Sequence, residues 1–176
     1  MKDLKFFGIV MMLVMGMSFA SCSSDDEGGP SSGSIKENLE GEWFLVSEKE
    51  VCSEDGITYT TWDYDDQTAG GVCSEGCTDH DPEKLYIECI GENTYEVTWS
   101  YYYNSRWYID ESEIFEIDGN VISEYTEEYG GDVYSEKVYI KSVSANELVI
   151  VEEEKDVYED GRAHNDVETY TYRRNN

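Results

Sequence analysis

Proline and positive charge are both scarce in this chain. Only 2 of its 176 residues are proline, so few stretches are barred from a central position in a β-sheet. Its 12 lysines and arginines stand against 40 aspartates and glutamates, which gives a formal net charge of −28 at pH 7. Such a surface repels phosphate backbones and anionic lipids, so we expect no nucleic-acid partner. Cationic partners stay open.

Residues that commonly carry out catalysis are also rare. The two histidines, His80 and His164, lie beside acidic residues in predicted loops, and no motif pairs either with a nucleophile. The acidic stretch from Asp63 begins like a calcium loop, but Thr68 stands where the sharp turn needs glycine. We therefore predict a protein that is not an enzyme and has no cofactor and no dedicated metal site. Casual calcium binding by the acidic loops stays open.

The N-terminus combines positive charge with an apolar run. Lys2 and Lys5 precede the nearly unbroken apolar stretch 6–17, which is short for a membrane span and is typical of an export signal. Cys22, directly after the small residues Ala20 and Ser21, resembles the cysteine of a bacterial lipoprotein lipobox. The resemblance implies a signal peptide over residues 1–21 and a lipid on Cys22 that attaches the protein to the membrane. An ordinary cleaved signal is the alternative.

Residues 22–35 have the composition of a flexible linker. The acidic run 23–27 resembles the surface-export tag of some Gram-negative gut commensals. We therefore expect an outer-membrane lipoprotein of the bacterial cell envelope, exposed at the cell surface. A plain solvated tether is the alternative.

Four further cysteines follow, Cys52, Cys73, Cys77 and Cys89. An even number in an exported protein favours disulfides, and four cysteines allow three pairings. We favour Cys52–Cys89 with a tight Cys73–Cys77 loop, because so short a loop is entropically easy to close. A zinc site of Cys73, Cys77, His80 and either Cys52 or Cys89 is the less favoured alternative.

From Leu39 onward the pattern predicts strands and almost no helix. Tyrosine, tryptophan and valine recur at period two over residues 95–103, and Asp118-Gly119-Asn120 and Asp160-Gly161 are typical turns. About eight or nine such strands without crossover helices imply an all-β, antiparallel up-and-down meander. Closing it into a β-barrel would remove the exposed edges, and a two-sheet β-sandwich is the alternative. Residues 51–82 break the pattern, and their 67–81 part is predicted to form a disulfide-stapled loop over one end of the barrel.

The pentapeptide 39–43, Leu-Glu-Gly-Glu-Trp, resembles the first-strand motif of lipocalin-like domains. The hairpin sequences of residues 118–150 and the ending 169–174 resemble those of small bacterial lipocalin-like lipoproteins. The resemblance implies a lipocalin-like β-barrel over residues 36–176. It also implies that Trp43 closes the bottom of the barrel as a structural residue, with an arginine over its ring that either Arg173 or Arg174 supplies.

An aromatic stretch is the best candidate for a binding site. If its odd-numbered face points inward, the barrel is lined by Tyr95, Trp99, Tyr101 and Tyr103, with Trp107 on the next strand. Rings with hydroxyl tips suit flat, amphipathic ligands or sugar faces. An eight-stranded barrel can instead fill its interior with side chains.

Two carboxylates complicate the next strand. Glu111 and Glu113 share the phase of Phe115, so a strict strand would put them on an apolar face, which is costly without partners. Either residues 110–112 form a bulge or turn, or the barrel holds an acidic spot that suits a cationic ligand or a glycosidase-like acid pair.

Together these features predict a lipid-anchored envelope protein whose barrel binds a small or amphipathic ligand without catalysis. The alternative is a surface interaction protein with a packed barrel, whose acidic loops contact a cationic protein or a glycan.

Overall fold

A computed structural model describes residues 32–55, 57–65, 70–73 and 82–174. It contains one short helix, α1 (Ser32–Asn38), and ten strands. The strands are β1 (Gly41–Glu54), β2 (Ile57–Asp65), β3 (Gly70–Cys73), β4 (Glu83–Cys89), β5 (Thr94–Tyr103), β6 (Arg106–Glu116), β7 (Val121–Tyr129), β8 (Asp132–Val143), β9 (Glu147–Val157) and β10 (Ala163–Arg173).

The predicted signal peptide and the predicted lipid site, Cys22, lie outside the described residues, so both stay predictions. The same holds for the first ten residues of the predicted linker, whereas its last residues, 32–35, belong to α1. Within the described part of the chain, no helix has the length and apolarity that a membrane span requires.

The strands form one antiparallel sheet in the order β6-β5-β4-β1-β10-β9-β8-β7. Strand β1 joins the two halves, since it pairs with β10 on one side and β4 on the other. The sheet curls into a half-barrel whose end strands, β6 and β7, do not pair along their described length. The predicted all-β, antiparallel meander is thus confirmed by the strand pairing, and the described strands do not form the alternative two-sheet sandwich.

Strand β1 is longer than the half-barrel requires. Its first residues, 41–44, pair with β4, and residues 47–54 pair with β2. A bulge at Val46 separates the two parts, because Leu45 and Ser47 pair with consecutive residues of β10. The hairpin of β2 and β3 therefore extends the sheet beside the half-barrel. Strand β3 lies within the segment that the sequence predicted as a loop, and the rest of residues 67–81 lies outside the described residues.

The hydrophobic core fills one end of the half-barrel, which we call the closed end. Helix α1 covers this end with Ile35, which is buried together with Leu39 just after the helix. Trp43 is fully buried, and its indole nitrogen donates a hydrogen bond to the Leu39 carbonyl oxygen at 2.8 Å. The core consists of Ile35, Leu39, Trp43, Leu45, Leu85, Ile87, Tyr95, Ile117, Ile140, Leu148, Tyr170 and Tyr172.

Of the two arginines at the end of β10, Arg174 lies over the Trp43 ring. The centre of its guanidinium is 4.3 Å from the ring centroid. One guanidinium nitrogen also donates to the carbonyl oxygens of Asn38 and Glu40, at 2.5 and 2.7 Å. This side chain therefore ties the end of the last strand to the connection between α1 and β1. Arg173 is exposed.

The favoured disulfide between Cys52 and Cys89 is wrong. Cys89 lies two residues beyond Ile87, which pairs with Gly41 at the start of β1, whereas Cys52 lies near the end of β1. Because a strand rises about 3.3 Å per residue, Cys52 lies roughly 40 Å farther along β1 than the point beside which Cys89 lies. A disulfide needs Cα atoms within about 7 Å of each other. Neither cysteine forms a disulfide with the other; Cys52 is buried and Cys89 is exposed.

The other predicted bridge, Cys73–Cys77, stays a prediction because Cys77 lies outside the described residues. The alternative zinc site likewise stays a prediction, since His80 also lies outside the described residues. Cys73 ends β3, where its backbone pairs with Trp62 of β2.

The neighbouring arginines provide a matched test of how the closed end is held. We expect Arg174→Ala to lower the free energy of unfolding by about 2–3 kcal/mol, because it removes a partly buried cation–π contact and two charge-assisted hydrogen bonds. Arg173→Ala should change it by no more than about 0.5 kcal/mol, since it removes only an exposed ion pair with Glu147. Urea denaturation measures both values. Equal losses in the two variants would contradict this account.

Candidate ligand-binding site

The inner face of β1, β10, β9 and β8 changes from apolar to acidic with distance from the closed end. Strand pairing aligns the inward side chains in rows that cross these four strands. The row nearest the closed end is Leu45, Tyr172, Leu148 and Val143. The next row is Glu48, Tyr170, Ile150 and Ile140.

The two rows above these are dominated by carboxylates. The third row is Glu50, Glu168, Glu152 and Val138, and the fourth row is Cys52, Asp166, Glu154 and Glu136. We call their six acidic residues the acidic wall: Glu50, Glu168, Glu152, Asp166, Glu154 and Glu136. Three lysines of these strands lie one residue from an inward position and so alternate onto the opposite face, where they cannot neutralise the wall at close range: Lys49, Lys137 and Lys155. The fourth, Lys141, stands at a bulge in β8 and is exposed.

A small apolar cavity lies beside the acidic wall, toward the closed end. Its volume is about 50 Å³, and Tyr95 and Trp99 of the predicted aromatic set line it. Glu152 is the one carboxylate among the lining residues that the structure describes. This volume holds a few water molecules or a short apolar group, far less than the roughly 300–1,000 Å³ of a typical ligand pocket. The closed end is therefore mostly filled by side chains.

The other predicted ligand contacts do not line this cavity. Tyr101 stacks on Tyr108 with ring centroids 5.6 Å apart, and Tyr103 is 54% exposed at the end of β5. Trp107 lies on the outer face, where its ring centroid is 5.2 Å from that of Tyr102. The Lys84 ammonium lies 4.7 Å from the Trp107 centroid.

A bulge at Asp110 explains the position of Trp107. Trp99 pairs with Glu111 whereas Ser100 pairs with Ile109, so one extra residue stands in β6 between these pairs. A shift of one residue moves side chains to the other face of a strand. The bulge therefore turns Trp107 outward.

Both features that the sequence offered as alternatives for this strand are present. The bulge lies at Asp110, and Glu111 and Glu113 nevertheless share the inner face with Trp99 and Val97, their partners on β5. Burial raises the pKa of both carboxyl groups, and for Glu111 the neighbouring Glu113 adds to the rise. They lie on β6, at the open edge of the half-barrel.

Burial and neighbouring charges oppose ionisation of two residues of the acidic wall, Glu168 and Glu152. Burial, followed by repulsion from Glu152 and Glu50, raises the pKa of Glu168 to about 8. Burial, followed by repulsion from Glu136 and Glu154, raises the pKa of Glu152 to about 7. Glu168 and Glu152 therefore hold protons at a pH where isolated glutamates have lost them.

The acidic wall was not predicted, although part of its signal is visible in the sequence. Glu152, Glu154 and Asp156 recur at period two, which predicts a strand with one acidic face. Asp166 and Glu168 likewise continue the phase of the buried tyrosines of β10. Their meeting on one surface follows from the pairing of β9 with β10, which local patterns do not reveal.

No protein-family model matches the chain, and no curated protein matches it either. Among solved structures, the chain is similar to one of siderocalin Q83, described as revealing a dual ligand-binding mode. The TM-score is 0.40 and the identity 14%, with 81% of this chain and 73% of that chain covered. A similarity this distant carries no argument about the ligand of the present protein.

The raised pKa values predict that stability falls as the pH rises. Glu168 and Glu152 hold protons in the folded protein that they lose near pH 4.5 when unfolded, so their stabilising contribution is complete below about pH 4.5 and is lost as the pH passes 7 and 8. We expect the free energy of unfolding to decrease by roughly 3–5 kcal/mol between about pH 5.5 and 8.5.

Urea denaturation at several pH values and constant ionic strength measures this slope of the free energy of unfolding against pH. Glu168→Gln should flatten it and should be more stable than the wild type at about pH 8.5, because the amide cannot ionise. Glu153→Gln, an exposed neighbour on the outer face of β9, should keep the wild-type slope. A stability that does not change over this pH range would contradict the assignment.

Proposed function

We propose that this chain is a lipid-anchored protein of the bacterial cell envelope whose half-barrel binds a small, positively charged amphipathic ligand without changing it chemically. The anchor and the surface location are supported by Cys22 after the apolar stretch 6–17 and by the acidic run 23–27. The binding function is supported by the inner face of the half-barrel.

Glu152 carries the binding proposal, because it belongs both to the lining of the apolar cavity and to the acidic wall. A ligand with a short apolar group in the cavity and a positive group beside Glu152 and Glu168 would match both surfaces. Neighbouring carboxylates in a partly buried site are costly to ionise without a counter-charge. A bound cation supplies that charge. It therefore relieves the repulsion between the carboxylates of the free protein, and this relief makes binding more favourable.

The size of the cavity restricts the ligand. Because the closed end is mostly filled by core side chains, a long acyl chain or a large ring system does not fit there. The proposed ligand is therefore a small organic cation with a few carbon atoms, and its charge rather than its apolar area provides the recognition.

Surface interaction with a protein or glycan is the second candidate. Its support is an outer-face aromatic cluster, in which the Trp107 ring contacts Phe44 and Tyr102 with centroids 5.9 and 5.2 Å away. The Lys84 ammonium already lies over the Trp107 ring, so the cluster presents less free ring surface than a sugar-stacking platform requires.

Three ligands of equal chain length test the binding proposal: hexylammonium, hexanol and hexanoate. Isothermal titration at about pH 7.5 should show hexylammonium binding at least about tenfold more tightly than the other two, because only its head group complements the wall. Binding should release protons, since the cation favours ionised Glu152. Equal affinity for hexylammonium and hexanol would contradict a role for the acidic wall.

Variants locate the bound cation. Glu168→Gln should weaken hexylammonium binding about tenfold, whereas Glu153→Gln on the outer face of β9 should leave it unchanged. If neither variant changes the affinity, the amine binds elsewhere.

The anchor is tested separately with the full-length chain in a Gram-negative host. Labelled palmitate should be incorporated into the wild type and into Cys89→Ser, the control for an exposed cysteine. Cys22→Ser should take up no label and should leave the membrane fraction, because it removes the acylated thiol. Equal labelling of Cys22→Ser would contradict lipid attachment at this position.

A further inference from the structure

Three carboxylates of the acidic wall meet at one place. Glu136, Glu152 and Glu154 each offer an oxygen atom, and these atoms lie within 4.8 Å of one another. Glu154 pairs directly with Glu136 between β9 and β8, and Glu152 lies two residues along β9 on the same face. Because all three side chains project from paired strands, their backbones hold a fixed spacing.

Glu136 adds an observation that is independent of this clustering. Glu136 is only 9% exposed, and its Oε2 accepts a hydrogen bond from the Tyr134 hydroxyl at 3.1 Å. Its Oε1 is buried and has no hydrogen-bond partner among the residues that the structure describes. A buried carboxylate oxygen without a donor costs free energy. Here its nearest acidic neighbours are two further carboxylates, which makes the cost larger.

The donor atoms indicate which ion would relieve this cost. All three ligands are carboxylate oxygens, which suit hard cations, whereas zinc and copper sites draw on histidine or cysteine. An ion about 2.3–2.6 Å from each ligand, the distance typical of Ca²⁺, can contact oxygens up to about 5 Å apart. Ca²⁺ also tolerates irregular geometry and fills its remaining positions with water, whereas Mg²⁺ requires a near-ideal octahedron.

We propose that Glu136, Glu152 and Glu154 bind one Ca²⁺ ion inside the half-barrel. The site goes beyond the organic-cation site described above, although the two share Glu152. It depends on Glu136, one row farther from the cavity, and it does not need Glu168.

The test uses full-length protein in detergent with Ca²⁺ alone as the ligand, at about pH 8 and constant ionic strength. Isothermal titration should show one saturable ion per chain, with a dissociation constant on the order of 10⁻⁴ M, as for extracellular calcium modules. About 10 mM Ca²⁺ should then raise the melting temperature by about 5–10 °C. The same concentration of Mg²⁺ should raise it less.

Glu136→Gln should abolish both the saturable binding and the calcium-dependent shift. This variant should fold at least as well as the wild type without calcium, because it replaces one of three repelling carboxylates by an amide of the same shape. Glu153→Gln, one residue from two of the ligands but exposed, should behave as the wild type.

Several outcomes would overturn the proposal. These are an absence of saturable binding to the wild type, a saturable site retained in Glu136→Gln, an equal effect of Mg²⁺, or an equal shift in all three proteins, which would indicate general charge screening. Hexylammonium titrated into the same preparations separates the two sites. Calcium binding without amine binding supports this site and contradicts only the organic ligand, and amine binding without calcium binding overturns this site alone.

Discussion

The pairing of β1 with β10 is the constraint on which the rest of the structure depends. It joins the first strand of the chain to the last, and it thereby holds together the half of the sheet formed by β4, β5 and β6 and the half formed by β7, β8 and β9. Arg174 extends this pairing by one further residue onto the Trp43 ring. The same register sets Glu50 opposite Glu168, so one interaction builds both the closed end and the acidic wall.

Features that depend on local sequence could be predicted, and features that depend on register could not. The turn at Asp118-Gly119-Asn120 and the strand beginning near Trp43 follow from short-range preferences, and both are present. The bulges at Val46 and Asp110 have no comparable signal, because each is a mismatch between two strands. Each moves the side chains on one side of it to the opposite face of the strand. The bulge at Val46 brings the glutamates that follow it in β1 inward, and the bulge at Asp110 turns Trp107, which precedes it in β6, outward.

The two ends of the half-barrel make opposite contributions to stability. At the closed end, apolar and aromatic side chains pack around Trp43 and supply the favourable burial. Farther along the same strands, the acidic wall lowers stability whenever its carboxylates ionise. Binding sites are often regions that destabilise the free protein. A positively charged ligand would remove the repulsion within the acidic wall and so restore this stability. The fold itself does not identify the ligand.

Among the described residues, β6 and β7 each leave one strand edge without a partner, and this affects how two molecules can associate. A free strand edge presents unmatched amide and carbonyl groups and is a template for association with a second chain. Strand β7 carries Glu124, Glu127 and Glu128, all exposed, so two copies that approached edge to edge would bring like charges together. The acidic residues that destabilise the interior are thus matched on β7 by acidic residues that oppose edge-to-edge association. This repulsion allows the half-barrel to stay open without aggregating.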